Sequence, residues 1–568
     1  MYHYPISWGK QLLIPIEKKG HTCVDPKLRG IAIAPLLSRV YDIIMDKKFA
    51  SWYKPNAEQA GFRKSQGCVI QIFALFTILE MAKYLHREDF IGLLDYEKAF
   101  DFMNRSVLLD MLMENNISSS FLKNLSRAYS NTCYIPKTSN NTIGEDIRTN
   151  HGVTQGRNSS CNLFSYYISD MPQCLYNLHN DDFMNPVNLL QLADDTVIIA
   201  EGFESLCVKF RRVLLYSKNK FLEINCDKTK YMHMSNSPNM SDIDINYNVT
   251  IHPVKPKDGY TWLGFVLSYS NDIHTLVEFN LKKKKFNEAK FYSWLQVNEF
   301  TPFPLKLRVL YGCMFSAMLY SCEAWGDIEH IAESLLVIER KALKSCLGVK
   351  QGTSNDIIYA EVNKADIISV IKHRQYSFYK KFKNLSIIDA VACQMWNIYE
   401  NVPNDGNPKR FFDYYNSLID NSTECNKNYR ISKLSDSTKS MDIRYKIVCN
   451  MKYNDHLYNS MINDQDRTIV SRWRLSSHKL YIETGRYKRP IVDRCDRKCR
   501  LCEILEDEYH ALFICKAHIY IRLEFHNFLM KYNSVYNILN PSNVNDIKKA
   551  AEYIRRIEKN MFALKMCQ

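Results

Sequence analysis

Three aspartates have the residue type and the surroundings for metal-ion chemistry. Asp95 ends the short apolar segment FIGLL at 90–94, and Asp194 with Asp195 interrupts a second apolar segment, LLQLADDTVIIA, at 189–200. A carboxylate at the end of a buried strand is costly unless it is solvated, paired or bound to a cation, and adjacent carboxylates repel each other. If the two strands are neighbours in one sheet, the three carboxylates can hold two Mg²⁺ ions for in-line phosphoryl transfer. The competing interpretation, a solvated acidic turn, is disfavoured by the apolar flanks.

Two further features near these aspartates suit the same chemistry. Phe100 follows Asp95 by five positions and is able to pack beneath a nucleotide sugar and reject a 2′-hydroxyl; otherwise it is a core aromatic residue. Gly152 and Gly156 bound the loop GVTQG and allow a ligand to approach the backbone closely. Within that loop, Gln155 can both donate and accept hydrogen bonds.

The segment NCDKTK at 225–230 places lysines directly after an apolar helical segment. Lys228, with Lys230 as the alternative, is suited to protonate a leaving pyrophosphate if this segment lies near the aspartates. Without that placement, the same residues are only a solvated charge cluster.

The carboxy-terminal region contains three cysteines and one histidine with the spacing of a tetrahedral zinc site: Cys499, Cys502, His510 and Cys515. Since all four ligands come from the protein, such a site is structural. Cys495 and His518 are close enough in sequence to replace one of the four, and buried free thiols are the alternative to a metal. Basic residues around the first cysteine pair favour contact with a nucleic-acid backbone.

The elements that position these residues follow from the hydropathy pattern. The apolar run 68–86, free of Gly and Pro, predicts a buried helix, and the run 262–267 predicts a strand. Strand and helix signals alternate over 30–270, which indicates a mixed α/β or α+β region, and the pattern from 275 to 400 is helical. Residues 402–443 are rich in Asn, Asp and Ser and predict a linker or irregular insertion.

The composition limits the class of protein. The chain has 568 residues, of which 46% are hydrophobic and 24% are charged, so it is a multidomain globular protein and not a disordered chain. We find no signal peptide and no apolar run near the roughly 20 residues that a membrane span needs, which predicts an intracellular protein. The 18 cysteines are mostly scattered singly, as expected of reduced thiols. A net charge of +14 is compatible with a nucleic-acid partner.

Taken in order, six segments resemble the successive fingers and palm motifs of the reverse transcriptases of non-LTR (LINE-type) retrotransposons: GFRKSQG, LLDYEKAFD, HGVTQGRNSSCNLFSYYISDM, LADDTVIIA, NCDKTKYM and YTWLGFVLS. The segment RGIAIAPLLSRVYDIIM also resembles the start of that family's polymerase domain, and LYSCEAWG at 319–326 resembles part of its thumb. The resemblance covers roughly residues 10–400. The ordered set is far more specific than any single motif.

This resemblance implies an α+β right-hand polymerase with an antiparallel palm sheet, a helical thumb and a small carboxy-terminal zinc-knuckle region. The expected division places fingers and palm at 1–270 and the thumb or connector at 271–400. A linker and helical region follows at 401–485, and the Cys/His region with a terminal helix occupies 486–568.

By position, the resemblance assigns metal binding to the three aspartates and the role of general acid to Lys228. It places Arg63, in GFRKSQG, where a fingers residue contacts the incoming triphosphate. Phe100 falls at the sugar-discriminating aromatic position, and Gln155 and Gly156 fall on the loop that lines the nucleotide and template.

The implied function is RNA-directed DNA polymerisation from a DNA 3′-hydroxyl with two Mg²⁺ ions. The implied partners are an RNA template, a DNA primer or target, and deoxynucleoside triphosphates, with a nuclear location, a cytoplasmic stage and no membrane. Full-length elements of this family also carry an endonuclease, for which we find no room here. The chain is therefore expected to be a truncated copy, a fragment, or a polymerase that relies on a nick made elsewhere.

Two alternatives stay open. A catalytically inactive remnant that only binds nucleic acid is favoured by departures from the family pattern: Arg157-Asn158-Ser159-Ser160 follows the Gln-Gly pair, and Leu192 replaces an aromatic residue before Ala-Asp-Asp. The three intact aspartates oppose that hypothesis. A group II intron maturase or telomerase-like polymerase is opposed by LYSCEAWG and the carboxy-terminal Cys/His cluster.

Overall fold

The structure is a computed structural model, and it describes residues 4–17, 28–137, 144–175, 187–235, 237–245, 249–386, 390–403, 408–420, 440–449 and 455–566. The chain divides into two compact units. The first unit comprises Met1–Asn280, Glu323–Asp327 and Phe378–Ser417, and the second comprises Leu281–Cys322, Ile328–Ser377 and Leu418–Gln568.

The first unit contains all the strands of the described residues. They are β1 Lys10–Glu17, β2 Leu28–Ile33, β3 Asp89–Leu94, β4 Cys133–Pro136, β5 Ile147–Arg148, β6 Leu189–Leu192, β7 Asp195–Glu201, β8 Lys230–His233, β9 Ile243–Ile245, β10 Val249–Pro253, β11 Tyr260–Trp262 and β12 Phe265–Leu267. A central six-stranded sheet has the order β6-β7-β3-β8-β10-β9, a second sheet has the order β2-β1-β4-β5, and β11 pairs with β12.

The α-helices of the first unit are Ile6–Gly9, Leu36–Trp52, Cys68–Tyr84, Ala99–Phe102, Arg105–Glu114, Ser119–Ser130, Asn158–Tyr167, Phe203–Asn219 and Val391–Asn401. Three helices contain a boundary between the units: Ile273–Lys284, Ile367–Phe382 and Arg410–Asp420. The α-helices of the second unit are Phe286–Val297, Phe303–Val309, Ser316–Met318, Glu329–Leu347, Asn355–Val362, Ser440–Cys449, Asp464–Arg474, Tyr481–Thr484, Ile519–Glu524, His526–Lys531, Val535–Leu539 and Val544–Met566.

The central sheet makes neighbours of the two acidic segments. Strand β3 lies between β7 and β8 and is antiparallel to both, with Leu94 opposite Thr196 of β7 and Leu93 opposite Lys230 of β8. Every residue of β3 is buried, as expected of a strand covered on both faces. This register places the residues that follow β3 beside the start of β7, because antiparallel neighbours bring the end of one strand to the start of the other.

A long buried helix organises the core of the first unit. Helix Cys68–Tyr84 is buried along most of its length, as its unbroken apolar run predicts. Phe73 near its start lies at the centre of an aromatic cluster, with ring centroids 5.3 Å from Trp396, 5.5 Å from Phe411 and 5.2 Å from Tyr415.

Two expectations about local structure are wrong. Part of the predicted linker is a helix, Arg410–Asp420, because its aromatic residues pack into the cluster around Phe73. The Asn- and Ser-rich composition of its surroundings hid that face. Residues 404–407 and 421–439 of the predicted linker lie outside the described residues. The predicted strand at 262–267 is instead part of a tight hairpin, β11–β12, with Leu263 and Gly264 at the turn.

The second unit buries a charged cluster within its helices. Arg474 donates to both carboxylate oxygens of Glu361, at 2.7 and 2.9 Å, and the Tyr445 hydroxyl donates to one of them at 2.8 Å. Burial raises the pKa of Glu361, but Arg474 and these hydrogen bonds outweigh that effect and hold it below its ordinary value. Within the described residues, we find no helix that is both long enough and apolar enough to span a membrane.

Candidate active site and candidate metal centre

The three predicted aspartates lie together at one end of the central sheet. Asp95 directly follows β3, and Asp195 begins the neighbouring strand β7. Asp194 and Ala193 form the two-residue turn that joins β6 to β7. Burial first, and then the carboxylates of Asp194 and Asp95, together raise the pKa of Asp195 to about 6, although Lys228 acts to lower it. The cluster is therefore dominated by negative charge, which is the environment that suits a divalent cation.

The segment after residue 224 holds the end of β3 and supplies a cation. The backbone N–H of Asp95 donates to the Thr229 hydroxyl at 3.1 Å, and the N–H of Asn225 donates to the Asp95 carbonyl at 2.9 Å. Lys228 Nζ lies 3.3 Å from Asp95 Oδ2, and its side chain is 62% exposed. Lys230 lies on β8, opposite Leu93 of β3. Of the two candidate lysines, Lys228 is the one in contact with a predicted metal ligand.

An open cleft of about 650 Å³ lies in front of Asp95 and Asp195. Both candidate lysines line it, together with Tyr260 from β11. Burial, together with the nearby carboxylates of Asp95 and Asp195, raises the pKa of Tyr260 to about 12. Its hydroxyl therefore stays protonated and is able to donate a hydrogen bond into the cleft. Tyr260 lies in the segment YTWLGFVLS, but no feature of its spacing or neighbours marks it as a site residue in the sequence.

The glycine loop packs against the segment that follows Asp95. Val153 N–H donates to the Phe100 carbonyl at 2.8 Å, and Gly152 N–H donates to the Met103 carbonyl at 2.7 Å. Gly152 has a φ of +78°, and an added Cβ would lie 2.6 Å from the Asp101 carbonyl oxygen. Only glycine fits that position, because both the backbone conformation and the space exclude a side chain.

Of the predicted nucleotide-binding residues, Phe100 packs against the core, whereas Gln155 and Gly156 lie on the glycine loop beside β2. The Phe100 ring stacks on Phe164, with centroids 4.3 Å apart, so one face packs on a helix of the core. Gln155 donates to Asp101 Oδ1 at 2.9 Å on the exposed side of the loop. The carbonyl of Gln155 accepts a hydrogen bond from Ala32 N–H of β2 at 2.8 Å, which places Gly156 directly beside that strand.

Arg63 is held by its own loop. Its Nη1 atom donates to the carbonyl oxygens of Asn56, at 3.0 Å, and Gln59, at 3.2 Å. The same loop reaches the acidic turn, because the buried side chain of Gln59 binds the backbone of Ala193. Gln59 was also missed by the sequence analysis. The only available signal was its position two residues before GFRKSQG, and a contact between a side chain and a distant backbone leaves no local pattern.

The residues that depart from the family pattern have packing roles. Arg157 donates to the Tyr4 hydroxyl at 2.9 Å and to the Ser38 hydroxyl at 3.2 Å. Ser159 N–H donates to the buried carboxylate of Asp42 at 3.2 Å. This sequence therefore ties the start of helix Asn158–Tyr167 to helix Leu36–Trp52, and the departure leaves the three aspartates in place.

The carboxy-terminal cysteines and histidine form a compact group in the second unit. One ligand atom from each of the four lies within 4.8 Å of the others, for the set Cys499, Cys502, His510 and Cys515. Both ring nitrogens of His510 are buried and have no hydrogen-bond partner among the described residues. Burial raises the pKa of Cys515 to about 12, so a bare thiolate is unfavourable there. Three thiols and an orphaned imidazole at these separations fit a tetrahedral Zn²⁺.

The geometry also separates this set from its two competitors. Cys495 is exposed and is not a member of the group. His518 is buried, but its Nδ1 atom lies 3.0 Å from the side-chain nitrogen of Asn560. Around the group, Cys499 N–H donates to the Ile504 carbonyl at 2.7 Å, which closes the turn that carries the first cysteine pair.

The part of the chain that holds the central sheet is similar to a known protein family. Residues 16–267 match the family model for reverse transcriptase (RNA-dependent DNA polymerase). This match confirms the right-hand polymerase fold class expected from the order of the motifs.

Two relatives are retrotransposon polyproteins. The Pol polyprotein from type-1 retrotransposable element R2 of Bradysia coprophila is 24% identical over 291 residues, which are 48% of this chain and 33% of that protein. The Pol polyprotein from type-2 retrotransposable element R2DM of Drosophila melanogaster is 25% identical over 230 residues, which are 40% of this chain and 21% of that protein. The chain thus spans a third or less of the length of these relatives.

Among solved structures, similarity extends to telomerases. Telomerase from Candida tropicalis, in complex with a fragment of telomeric RNA, matches with a TM-score of 0.33 at 12% identity, covering 69% of this chain and 64% of that one. The corresponding complex from Candida albicans matches with a TM-score of 0.34 at 12% identity, covering 73% and 64%.

Proposed function

We propose that this chain is an RNA-directed DNA polymerase of a non-LTR retrotransposon, because residues 16–267 match the reverse transcriptase family model. It extends a DNA 3′-hydroxyl along an RNA template. The observation that carries the proposal is the meeting of Asp95, Asp194 and Asp195 at one end of the central sheet, beside an open cleft. The similarity to two R2 polyproteins supports the retrotransposon assignment.

The three carboxylates are the proposed ligands of two Mg²⁺ ions. They are hard oxygen donors, they repel each other, and among them Asp195 has a pKa raised to about 6 by burial and by the other two. When bound, Mg²⁺ lowers the pKa of an attacking hydroxyl and neutralises the charge of a leaving pyrophosphate.

The chain's own residues supply proton transfer and positioning. Lys228, which contacts Asp95 and extends into the cleft, is the proposed proton donor to pyrophosphate, with Lys230 as the alternative. The protonated Tyr260 donates a hydrogen bond to a group bound between the two aspartates and β11. Together these side chains place one cation and one neutral donor opposite the acidic cluster.

Four residues form the proposed nucleotide-binding surface. Phe100 presents its free ring face to the sugar, since Phe164 covers the other face. Gln155 and Gly156, on the loop beside β2, line the nucleotide and template. Arg63 contacts the triphosphate by exchanging a loop carbonyl for a phosphate oxygen.

The carboxy-terminal group is a proposed structural zinc site with Cys499, Cys502, His510 and Cys515 as ligands. With four protein ligands, it leaves no open position for a substrate. Its proposed role is to hold the turn at 499–504 against the segment at 510–515.

The remaining assignments follow from the same proposal. The partners are an RNA template, a DNA primer or target and deoxynucleoside triphosphates, and the location is nuclear with a cytoplasmic stage. We divide the chain into fingers and palm at 1–270, thumb at 271–400, a linker and helical region at 401–485, and a zinc-knuckle region at 486–568.

Primer extension on a primed homopolymer RNA template tests the proposal. The parent chain, prepared with zinc, extends the primer in Mg²⁺, and Asp194→Asn does not. Asp244→Asn is the matched control, because Asp244 lies on β9 of the same sheet and bonds Thr250 at a distance from the cleft. Extension that survives in Asp194→Asn would contradict the assigned ligands. Tight template binding without extension by the parent would favour the inactive remnant.

A further inference from the structure

The turn that carries Asp194 is held by the side chain of Gln59, which is 2% exposed. Gln59 Oε1 accepts a hydrogen bond from Ala193 N–H at 2.8 Å, and its Nε2 donates to the Ala193 carbonyl at 3.2 Å. Ala193 has a φ of +58°, a left-handed conformation that alanine rarely adopts. One side-chain amide therefore binds both backbone polar groups of the strained residue that precedes the acidic pair.

The backbone around Gln59 is bonded to the strand that leads into this turn. Gln191 N–H of β6 donates to the Glu58 carbonyl at 2.9 Å, and Ala60 N–H donates to the Gln191 carbonyl at 2.9 Å. Segment 58–60 thus continues the hydrogen bonding of the central sheet at β6, its edge strand. These two hydrogen bonds join the backbone of segment 58–60 to the backbone of Gln191. The turn that follows Gln191 therefore cannot shift relative to segment 58–60 without breaking them.

Gly61 brings the loop into direct contact with the turn. An added Cβ on this residue would lie 2.6 Å from the Ala193 nitrogen. Gly61 N–H also donates to Gln59 Oε1 at 2.9 Å, which uses the second acceptor site of that oxygen. The Gln59 side chain is therefore fixed from both sides.

The same loop carries the residue proposed to contact the triphosphate. Arg63 donates to the carbonyl oxygen of Gln59 itself and to that of Asn56. Any movement of Arg63 toward a nucleotide acts on the backbone of Gln59, and so on the acidic turn.

We infer that Gln59 is a positioning residue for the polymerase reaction: it sets the place of the Asp194–Asp195 turn relative to Asp95 and links that turn to Arg63. The inference rests on the proposed function of the cleft. A positioning role differs from a packing role in one measurable way. Gln59 is not itself a proposed metal ligand, yet its substitution is expected to weaken cation binding by the aspartates. A displacement of about 1 Å at a reacting group costs on the order of 10²-fold in rate.

The test compares Gln59→Met with Gln71→Met in the full chain. Gln71 is also 2% exposed, and its Nε2 donates to the carbonyls of Gln191, at 2.9 Å, and Glu58, at 3.0 Å. It therefore holds the same two segments, but at the strand and not at the turn. The measurements are the single-turnover extension rate, the Mg²⁺ concentration for half-maximal rate, and Mn²⁺ binding by electron paramagnetic resonance.

Gln59→Met lowers the rate roughly 10- to 100-fold, raises the half-maximal Mg²⁺ concentration and weakens Mn²⁺ binding. Both variants lower the melting temperature by a similar amount. Gln71→Met, however, leaves the extension rate, the half-maximal Mg²⁺ concentration and Mn²⁺ binding near those of the parent. Equal rates and equal metal affinities in the two variants would overturn the inference.

A second variant covers the case in which Gln59→Met does not fold. Gly61→Ala keeps Gln59 but forces the loop away from Ala193, and it produces the same weakening of Mn²⁺ binding. Unchanged Mn²⁺ binding in Gly61→Ala would overturn the inference. If the parent itself fails to extend primers, the proposed function fails, whereas the Mn²⁺ measurements still decide the role of Gln59.

Discussion

The acidic cleft and the Cys/His group both gather side chains that are unfavourable together, but they do so in different ways. The cleft places Asp95 and Asp195 at the ends of adjacent strands and leaves about 650 Å³ of open space before them. The Cys/His group encloses its four ligand atoms within 4.8 Å of one another, on a turn and a short helical segment. The first site opens onto this space through its carboxylates, whereas the four ligand atoms of the second face one another beside a smaller cavity of about 310 Å³.

This difference is what the proposed roles require, chemistry at the first site and stability at the second. The acidic cluster is held by contacts between residues far apart in the sequence. Strands β3 and β7 and the segment 58–61 come from three separate regions of the chain. The Cys/His group spans only 17 residues, from Cys499 to Cys515. Loss of a cation is therefore expected to stop the reaction at the first site and to unfold local structure at the second.

Among the variants that compare the two sites, Asp195→Asn is expected to have the largest effect. Extension falls by about 10³-fold or more, since a metal ligand is lost, while the melting temperature stays equal or rises because repulsion with Asp194 and Asp95 is relieved. Single-turnover extension and thermal unfolding measure the two effects. A clear drop in melting temperature would mean that the cleft also serves stability, and the contrast between the two sites would fail.

Cys515→Ser gives the reverse pattern. Bound zinc falls by about one ion per chain, and the free energy of unfolding of the second unit falls by several kcal/mol. Zinc analysis of the purified chain and chemical unfolding check this outcome. Cys495→Ser, at an exposed cysteine outside the group, is the control and keeps both values. An unchanged zinc content in Cys515→Ser would exclude this ligand set.

Lys228→Met tests whether the cleft contains a proton donor as well as metal ligands. The extension rate falls by about 10²-fold, the usual size of a general-acid contribution, with no loss of stability from this exposed side chain. Lys230→Met, made in parallel, retains more activity than Lys228→Met. The opposite ranking would transfer the role to Lys230.

Glu80 is a carboxylate that belongs to neither site, and it shows how burial shifts a carboxyl group away from a metal site. Burial, opposed by Lys83 and Arg410 and assisted by Asp272, raises its pKa to about 7. Between about pH 4.5 and 7 the folded chain binds more protons at Glu80 than the unfolded chain does, so the free energy of unfolding falls as pH rises. Glu80→Gln removes this slope and stabilises the first unit at pH 8 by roughly 3 kcal/mol, the free energy that corresponds to this change in pKa.

Urea unfolding at pH 5.5 and pH 8 measures the Glu80 effect. Glu114→Gln, at an exposed glutamate on helix Arg105–Glu114, is the control and leaves the pH slope as it is in the parent. A slope that persists in Glu80→Gln would assign it to another group.

The sequence predicts the parts of the fold that depend on local pattern. The apolar runs that end at Asp95 and surround Asp194 are sufficient to predict the strands, and the spacing of Cys499 to Cys515 is sufficient to predict a metal-binding group. The choice between His510 and His518 is different, because it depends on which ring is already bonded to Asn560. Spacing contains no information about that contact.

The missed features all depend on tertiary contacts. Helix Arg410–Asp420 is stabilised by Phe73, more than 300 residues away in the chain, and polar neighbours hide its aromatic face. Gln59 acts on a backbone 134 residues distant. The roles of Phe100, Gln155 and Arg63 remain predictions from their position in the motifs.

The pairing of segment 58–60 with β6 also bears on how the chain behaves at high concentration. An edge strand presents backbone donors and acceptors on which a second molecule can add a strand. On β6 the N–H and carbonyl of Gln191 are already bound to Glu58 and Ala60, and the Gln71 side chain binds the same carbonyl. The loop that holds the acidic turn thus also occupies the β6 edge of the central sheet, where a second molecule would otherwise add a strand.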